Sequence, residues 1–192
     1  MVGAAPSFSD VHILRALLTL HENPTGRKKL VQILGLGEGS VRTIIKHLTE
    51  DGLIKSSSQG HKITEKGEKT VLERLRLFSK PNAVDLRDMI SGMQSLIVVY
   101  GAVKYLTNIV LLRDTALRAG ADGALVLVCD GDVKFPDSGM SISDYPLSSE
   151  YLKKINLREG DVVVIGFAPT VQKAEDGALA ATLELLSPNS SP

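Results

Sequence analysis

The feature that most constrains this chain is a short amphipathic segment that follows a pair of glycines, Gly35 and Gly37. Its apolar residues recur at i, i+3, i+4 and i+7, the spacing of one buried helical face: Val41, Ile44, Ile45 and Leu48. Its other face carries groups suited to phosphates and base edges: Ser40, Arg42, Thr43, Lys46 and His47. Any surface helix has a polar face, so the neighbouring segments decide what this helix does.

Two further helices are predicted upstream. An apolar pattern over 10–22, with Ser7 and Asp10 spaced as a capping box, predicts a first helix that begins near Phe8. Asn23-Pro24-Thr25-Gly26 ends it, and 27–34 predicts a second, short helix. Two short helices joined by a glycine-containing turn are typical of a helix-turn-helix.

The segment after the third helix predicts a β-hairpin and then a fourth helix. The stretches around 53–55 and 61–63 predict two strands that flank the polar tip 56–60. Thr64 is placed to cap a helix that runs to about Phe78, with one apolar face: Val71, Leu72, Leu75 and Phe78.

This order of elements, with Asp51-Gly52-Leu53-Ile54 and 62–67 after the third helix, resembles the winged helix-turn-helix of prokaryotic transcriptional regulators over 8–78. Winged helices also serve as protein-docking modules. The whole chain further resembles archaeal proteins that join such a winged helix to a C-terminal domain of unknown function, through Arg113-Asp114 and 120–124. That second resemblance implies no activity.

The charges divide the chain into two parts. Residues 1–80 hold 13 lysines and arginines against 8 acidic residues, whereas 81–192 hold 9 against 14. A basic half next to an acidic one is expected if only the first approaches a polyanion, although chance can produce an imbalance of this size. Pro81 interrupts the helical pattern, so we predict domains at 1–80 and 81–192.

The second part predicts a small α/β domain. Strands are predicted at 96–100, 124–129, 133–135 and 162–167, with helices at 111–119 and 174–186 and a disordered tail at 187–192. Gly120 is a predicted helix cap. The segment 120–123 could be a phosphate-binding loop, but it follows a helix and precedes a strand, so we expect a turn instead.

Candidate reactive residues in the second part also have structural interpretations. Arg113 and Asp114 form a possible ligand-binding pair; alternatively, Asp114 complements a helix N-terminus and Arg113 pairs with an acidic neighbour. Cys129 has no histidine in its half to act as base, so an inert thiol is expected. Asp130, Asp132 and Asp137 could supply oxygen ligands to a divalent cation, but their spacing matches no calcium loop, so solvated turn residues are expected. We therefore expect no enzyme, no metal site and no cofactor.

The sequence thus predicts an α+β protein: a winged helix-turn-helix domain that binds double-stranded DNA, followed by an α/β domain that dimerises, senses a small-molecule effector or docks to a partner. Helix 3 would read the major groove, with Arg42 as the base reader. The predicted DNA-contacting residues are Arg27, Lys28, Lys29, Ser40, Arg42, Thr43, Lys46, His47, Lys55, Gln59, His61 and Lys62. A homodimer is expected because helix-turn-helix proteins use paired half-sites.

Two alternatives remain: a protein-interaction subunit of a larger assembly, and a small-molecule enzyme regulated by its winged helix. Met1–Phe8 lacks the features of a signal peptide, and the most apolar stretch, 95–112, contains Lys104. The expectation is a cytoplasmic protein with no membrane segment.

Overall fold

The computed structural model describes residues 8–187. The chain divides into two compact units, Met1–Leu75 and Arg76–Pro192; the sequence had placed its domain boundary after residue 80.

The first unit contains helices and a hairpin in the predicted order. Its elements are α1 (Asp10–Glu22), α2 (Arg27–Leu34), α3 (Glu38–Glu50), β1 (Ile54–Ser57), β2 (Gly60–Ile63) and α4 (Glu65–Leu75). The strands β1 and β2 pair antiparallel. Gly35 ends α2 in the left-handed region, with φ of 67°, which an L-residue with a side chain seldom adopts. The turn between α2 and α3 therefore depends on a glycine that the sequence analysis had singled out.

Two helix boundaries in this unit differ from the prediction. Helix α1 begins at Asp10 instead of near Phe8, because extended Ser9 is the N-cap and its N–H donates to Nδ1 of His12 at 3.1 Å. The proposed capping role of Ser7 lies outside the described residues. Thr64 caps α4 as predicted and accepts from the N–H of Gly67 at 3.1 Å.

Helix α4 ends at Leu75 and does not reach Phe78. The segment after it is extended, because the carbonyl of Leu77 accepts from Tyr100 N–H at 2.8 Å and Ser79 N–H donates to Val98 at 2.8 Å. Phe78, which already belongs to the second unit, is fully buried and forms a bridge with Val99 of the same unit. Helical periodicity alone had extended α4 across this change of conformation.

The second unit is built on a five-stranded antiparallel sheet. Its elements are β3 (Asn82–Val84), β4 (Met93–Val99), α5 (Ile109–Arg118), β5 (Gly123–Asp130), β6 (Asp132–Lys134), α6 (Pro146–Lys154), β7 (Val162–Ala168) and α7 (Val171–Leu185). The strand order is β3-β4-β7-β5-β6, so β7, the last strand in sequence, lies between β4 and β5.

Both faces of the central strands are buried, which explains their continuous apolar runs. On one face Leu127 and Ile165 pack with Leu152 of α6. On the other face α7 approaches β7 so closely that a Cβ on Gly166 would lie 2.2 Å from the carbonyl oxygen of Ala174. The sheet is therefore a middle layer between helices.

The predicted strands and helices of the second unit occur with shifted ends. Helix α5 begins two residues early, where the Asn108 side chain accepts from Leu111 N–H at 3.0 Å. Gly120 follows α5 with φ of 95°, and Ala121 N–H donates back to Ala116 at 3.2 Å, so 120–122 is a turn, as predicted, and Gly123 already begins β5. Strand β3 and helix α6 had not been predicted. The predicted disorder of the tail falls mainly on 188–192, outside the described residues.

Within residues 8–187, every helix is too short or too polar to cross a lipid bilayer.

Candidate functional site

The first turn of α2 carries three consecutive basic side chains, Arg27, Lys28 and Lys29, and all three are exposed. Gly26 precedes the helix without a side-chain cap, and the first turn holds no acidic residue. The N-terminus of a helix carries a partial positive charge, so cations there are unfavourable. This arrangement leaves α2 with an uncompensated positive end.

A short tether joins the start of α2 to the hairpin. Thr25 and His61 exchange backbone hydrogen bonds of 2.9 and 3.0 Å. Gly60 lies beside this joint with φ of 116°, and a Cβ on it would come within 2.7 Å of the backbone of Thr25 and Gly26. Burial, and then the positive charge of Arg27, lower the pKa of His61. The structure therefore brings two predicted site residues, Arg27 and His61, into one electrostatic environment.

The hairpin places two lysines directly opposite each other. Lys55 of β1 and Lys62 of β2 are cross-strand partners, and both are exposed. Successive residues of a strand point to opposite faces, so His61 lies on the other face of the hairpin from Lys62. Gln59 is exposed at the tip, where its N–H donates to Oγ of Ser57 at 3.3 Å. The predicted hairpin residues thus divide between two faces.

Helix α3 buries the predicted stripe and exposes the predicted polar face. Val41, Ile44 and Leu48 are at most 1% exposed, whereas Arg42, Lys46 and His47 are exposed. Ile45 and Ser40 are half-buried.

The polar residues of α3 differ in their local contacts. Thr43 donates to the Gly39 carbonyl at 3.1 Å, and Lys46 lies 3.7 Å from Glu50. The ring of His47 makes an edge contact with Phe8 at 6.1 Å. Arg42 makes no hydrogen bond or ion pair with any residue in 8–187, so its guanidinium is free to take a ligand.

Among residues 8–187, Arg15 of α1 is the only buried lysine or arginine; it is 4% exposed, and its guanidinium donates to the carbonyl of Ile33 at 2.8 Å. It braces the end of α2 against α1. No local sequence pattern marks this role, because a single arginine in an apolar helical stripe has no distinguishing feature.

The second unit contains a cavity of about 430 Å³ beside β5. It is lined by Arg113 of α5, by Leu125 of β5, by Phe167 of β7 and by Asp137 and Tyr145 from the segment between β6 and α6. Small-molecule sites commonly have volumes of about 300–1,000 Å³. Arg113, a predicted ligand-binding residue, is therefore placed at a concave surface.

Asp114 does not line this cavity, so the structure separates the predicted Arg113–Asp114 pair. The alternative role for Asp114 was wrong, since α5 begins at Ile109 and Asp114 lies in the middle of the helix. Arg113 has no ion-pair partner among the described residues, so its structural alternative also finds no support.

One wall of the cavity is anchored by Asp88, which the sequence analysis had missed. Its carboxylate accepts from the N–H groups of Leu147 at 2.9 Å and Ser148 at 3.2 Å, and also from the Ser148 hydroxyl. Desolvation opposes ionisation, but these hydrogen bonds prevail and lower the pKa of Asp88. Asp88 thereby ties the loop before β4 to the N-terminus of α6.

Of the other candidate residues of the second unit, Cys129 lies in surroundings that oppose reactivity, and Asp130 and Asp132 have structural partners. Burial, and then the charges of Glu159 and Asp161, raise the pKa of Cys129, which opposes a reactive thiolate. Asp130 pairs with Lys134, and Asp132 accepts from the hydroxyl of Ser141 at 2.6 Å. Within the part of the chain that is described, no three histidine, cysteine or acidic side chains are grouped to hold a metal ion.

Comparison with known proteins gives a family but no activity. Residues 11–69 match the family described as "PH0730-like, N-terminal domain", and residues 90–185 match "Domain of unknown function (DUF4443)". A solved structure, "Hypothetical protein PH0730 from Pyrococcus horikoshii OT3", is 31% identical, with 93% of each chain covered and a TM-score of 0.79. The chain belongs to this PH0730-like family.

Membership of the PH0730-like family confirms part of the resemblance drawn from the sequence: a relative from an archaeon, and a C-terminal domain of unknown function. No curated protein matches the chain.

Proposed function

We propose that this protein is a DNA-binding transcriptional regulator whose first unit forms a winged helix-turn-helix. In this proposal α2 and α3 are the helix-turn-helix, and the β1–β2 hairpin is the wing. The second unit dimerises, senses a small-molecule effector or docks to a partner. The element order of the first unit supports the proposal, and its charge placement supports it more directly.

The observation that carries the proposal is positive charge placed where it destabilises the free fold. Arg27, Lys28 and Lys29 oppose the α2 dipole, and Lys55 faces Lys62 across the hairpin. Like charges directly opposite in a sheet are unfavourable. An anionic ligand at both places would relieve this repulsion, and duplex DNA presents closely spaced phosphates that can reach both.

The proposed contacts divide into base reading and phosphate binding. Helix α3 enters the major groove, where Arg42 grips guanine O6 and N7 together and Lys46 contacts a flanking phosphate or base. Ser40, Thr43 and His47 lie on the same helix as weaker contacts. The first turn of α2 and the exposed hairpin face, with Lys55, Gln59 and Lys62, bind phosphates. His61 supports this hairpin from its other face.

A homodimer would place two copies of α3 on adjacent half-sites of a palindrome. This part of the proposal follows from how helix-turn-helix proteins bind DNA.

Salt dependence of duplex binding tests the proposal. Fluorescence anisotropy with a labelled duplex gives log K against log salt concentration, and each phosphate contact contributes a slope of about −0.9. We expect Lys62→Gln to weaken binding to all sequences and to flatten the slope by about one contact.

The matched control is Lys69→Gln, which removes an exposed lysine from the middle of α4, outside the proposed interface. The control should keep the wild-type slope. Equal slopes for Lys62→Gln and wild type would contradict the docking mode. Absence of duplex binding, together with salt-resistant binding to an acidic protein, would instead favour the protein-interaction alternative.

A further inference from the structure

The cavity of the second unit lies along an unpaired stretch of β5. Strand β6 pairs with β5 only from Val128 to Asp130, whereas β7 pairs with the other side of β5 from Gly123 onward. Ala124, Leu125 and Val126 line the cavity. The outer edge of β5 therefore forms part of the cavity wall.

The direction of the backbone groups at this edge follows from a bulge in the neighbouring strand. Gly160, with φ of 85°, donates to the carbonyl of Cys129, and Cys129 N–H donates to Asp161, both at 2.9 Å. The backbone N–H and C=O of Cys129 therefore point toward the strand β7. The backbone N–H and C=O groups alternate in direction along a strand. Those of Ala124 and Val126 therefore point away from β7, toward the cavity. Their outward groups have no hydrogen-bond partner within residues 8–187.

Two opposite charges line the same cavity without pairing. Arg113 reaches it from α5, and Asp137 reaches it from the segment after β6. Within the described part of the chain, neither side chain makes a hydrogen bond or an ion pair, with the other or with any third residue. An oppositely charged pair so placed can bind a ligand that carries both charges.

The rest of the wall is apolar and aromatic. Phe135 and Tyr145 meet edge to face with ring centroids 5.9 Å apart, and both line the cavity. The ring of Phe167 occupies the space above Gly123, where a Cβ would lie 2.7 Å from it. An apolar body fits these walls, whereas a phosphate dianion would face the Asp137 carboxylate with only one guanidinium to balance it.

We propose that this cavity binds a small zwitterion with an apolar side chain, of the α-amino-acid class. The ligand carboxylate pairs with Arg113, the ammonium group pairs with Asp137, and the backbone edge of β5 supplies further donors and acceptors. The apolar side chain lies against the aromatic wall. This inference does not depend on the DNA-binding proposal.

Isothermal titration of the full-length protein with L-leucine, L-methionine and L-phenylalanine tests the inference. Each amino acid is compared with its deaminated acid and its decarboxylated amine, for example 4-methylpentanoate and 3-methylbutylamine for leucine. Loss of one charge-assisted contact weakens binding by about tenfold or more. We expect at least one amino acid to bind, and both of its analogues to bind more weakly by that factor.

The variants Arg113→Gln and Asp137→Asn assign each charge. Arg113→Gln should weaken the amino acid and the acid but not the amine, and Asp137→Asn should weaken the amino acid and the amine but not the acid. Matched controls are Arg118→Gln and Asp144→Asn, which change exposed residues outside the cavity and should bind as wild type does.

Three results would overturn the inference. The first is an acid or an amine that binds as tightly as its parent amino acid. The second is a set of variants that lose no more affinity than their controls, and the third is no saturable binding of any of the three amino acids at millimolar concentration. Because no DNA is present, this experiment can fail while the regulator proposal stands.

Discussion

Replacement of Lys28 by glutamate should stabilise the first unit while it weakens DNA binding. Lys28 lies in the first turn of α2, exposed and without an acidic neighbour in that turn. A charge in the first turn contributes about 0.3–1 kcal/mol, favourable for an anion and unfavourable for a cation. The change from lysine to glutamate removes one unfavourable charge and adds one favourable charge. We therefore expect a gain of about 0.6–2 kcal/mol at low ionic strength.

Urea unfolding followed by circular dichroism measures this gain. For a unit of this size, each 1 kcal/mol also raises the thermal midpoint by about 4–8 °C. The gain should shrink as salt screens the dipole, over a Debye length of about 10 Å at 0.1 M. In the same variant, the salt dependence of duplex binding should flatten by about one phosphate contact.

Lys69→Glu is the matched control, because it makes the same change in net charge. Lys69 lies between Glu65 and Glu73 on α4, so a third glutamate in this row should destabilise the helix slightly. A stabilised Lys28→Glu variant that still binds DNA as tightly as wild type would refute the link between charge placement and function. A variant that gains no stability at low salt would refute the dipole argument.

Three further predictions concern pH and packing. Affinity for duplex DNA should rise from pH 8 to pH 6, and rise less in His61→Gln. Burial and the charge of Arg27 lower the pKa of His61 in the free protein, and a phosphate bound beside Arg27 at the first turn of α2 would raise it again; anisotropy titrations measure this. The second unit should lose stability in acid, because desolvation is outweighed by hydrogen bonds from Ser148 that lower the pKa of Asp88 in the folded protein, so the unfolded chain takes up this proton first as the pH falls. Asp88→Asn should flatten that loss in acid denaturation followed by circular dichroism. Gly166→Ala should destabilise the second unit by about 1–3 kcal/mol or more in urea unfolding, since the added methyl would overlap Ala174.

The sequence predicted the elements of the first unit well because each has a local signal. Gly35 marks the end of α2, the stripe that includes Val41 marks α3, and Thr64 marks the start of α4. The end of α4 was misplaced because Phe78 fits the helical period but is buried against Val99, a contact distant in sequence. Periodicity cannot distinguish an apolar residue that is buried on one face of a helix from one that is buried by pairing with a distant strand.

The second unit was harder to predict because its arrangement depends on pairing between distant strands. The apolar run of β7 was evident, but not its position between β4 and β5. The cavity combines Arg113 with residues from four other segments. Arg113 could be predicted as a ligand-binding residue, whereas Asp137 was considered only as a ligand for a cation. Asp88 acts through contacts with Ser148, 60 residues away, and no local pattern marks such a pair.

Selection of bound duplexes from a random DNA pool at near-physiological salt tests the central claim most directly. Wild-type protein and Arg42→Ala are compared side by side, since Arg42 is the proposed base reader on the exposed face of α3. The account predicts that wild type enriches a palindromic motif and that the variant loses preference at one position of each half-site while it retains salt-sensitive binding. Failure of the wild type to enrich any motif would contradict the claim that this protein reads DNA sequence.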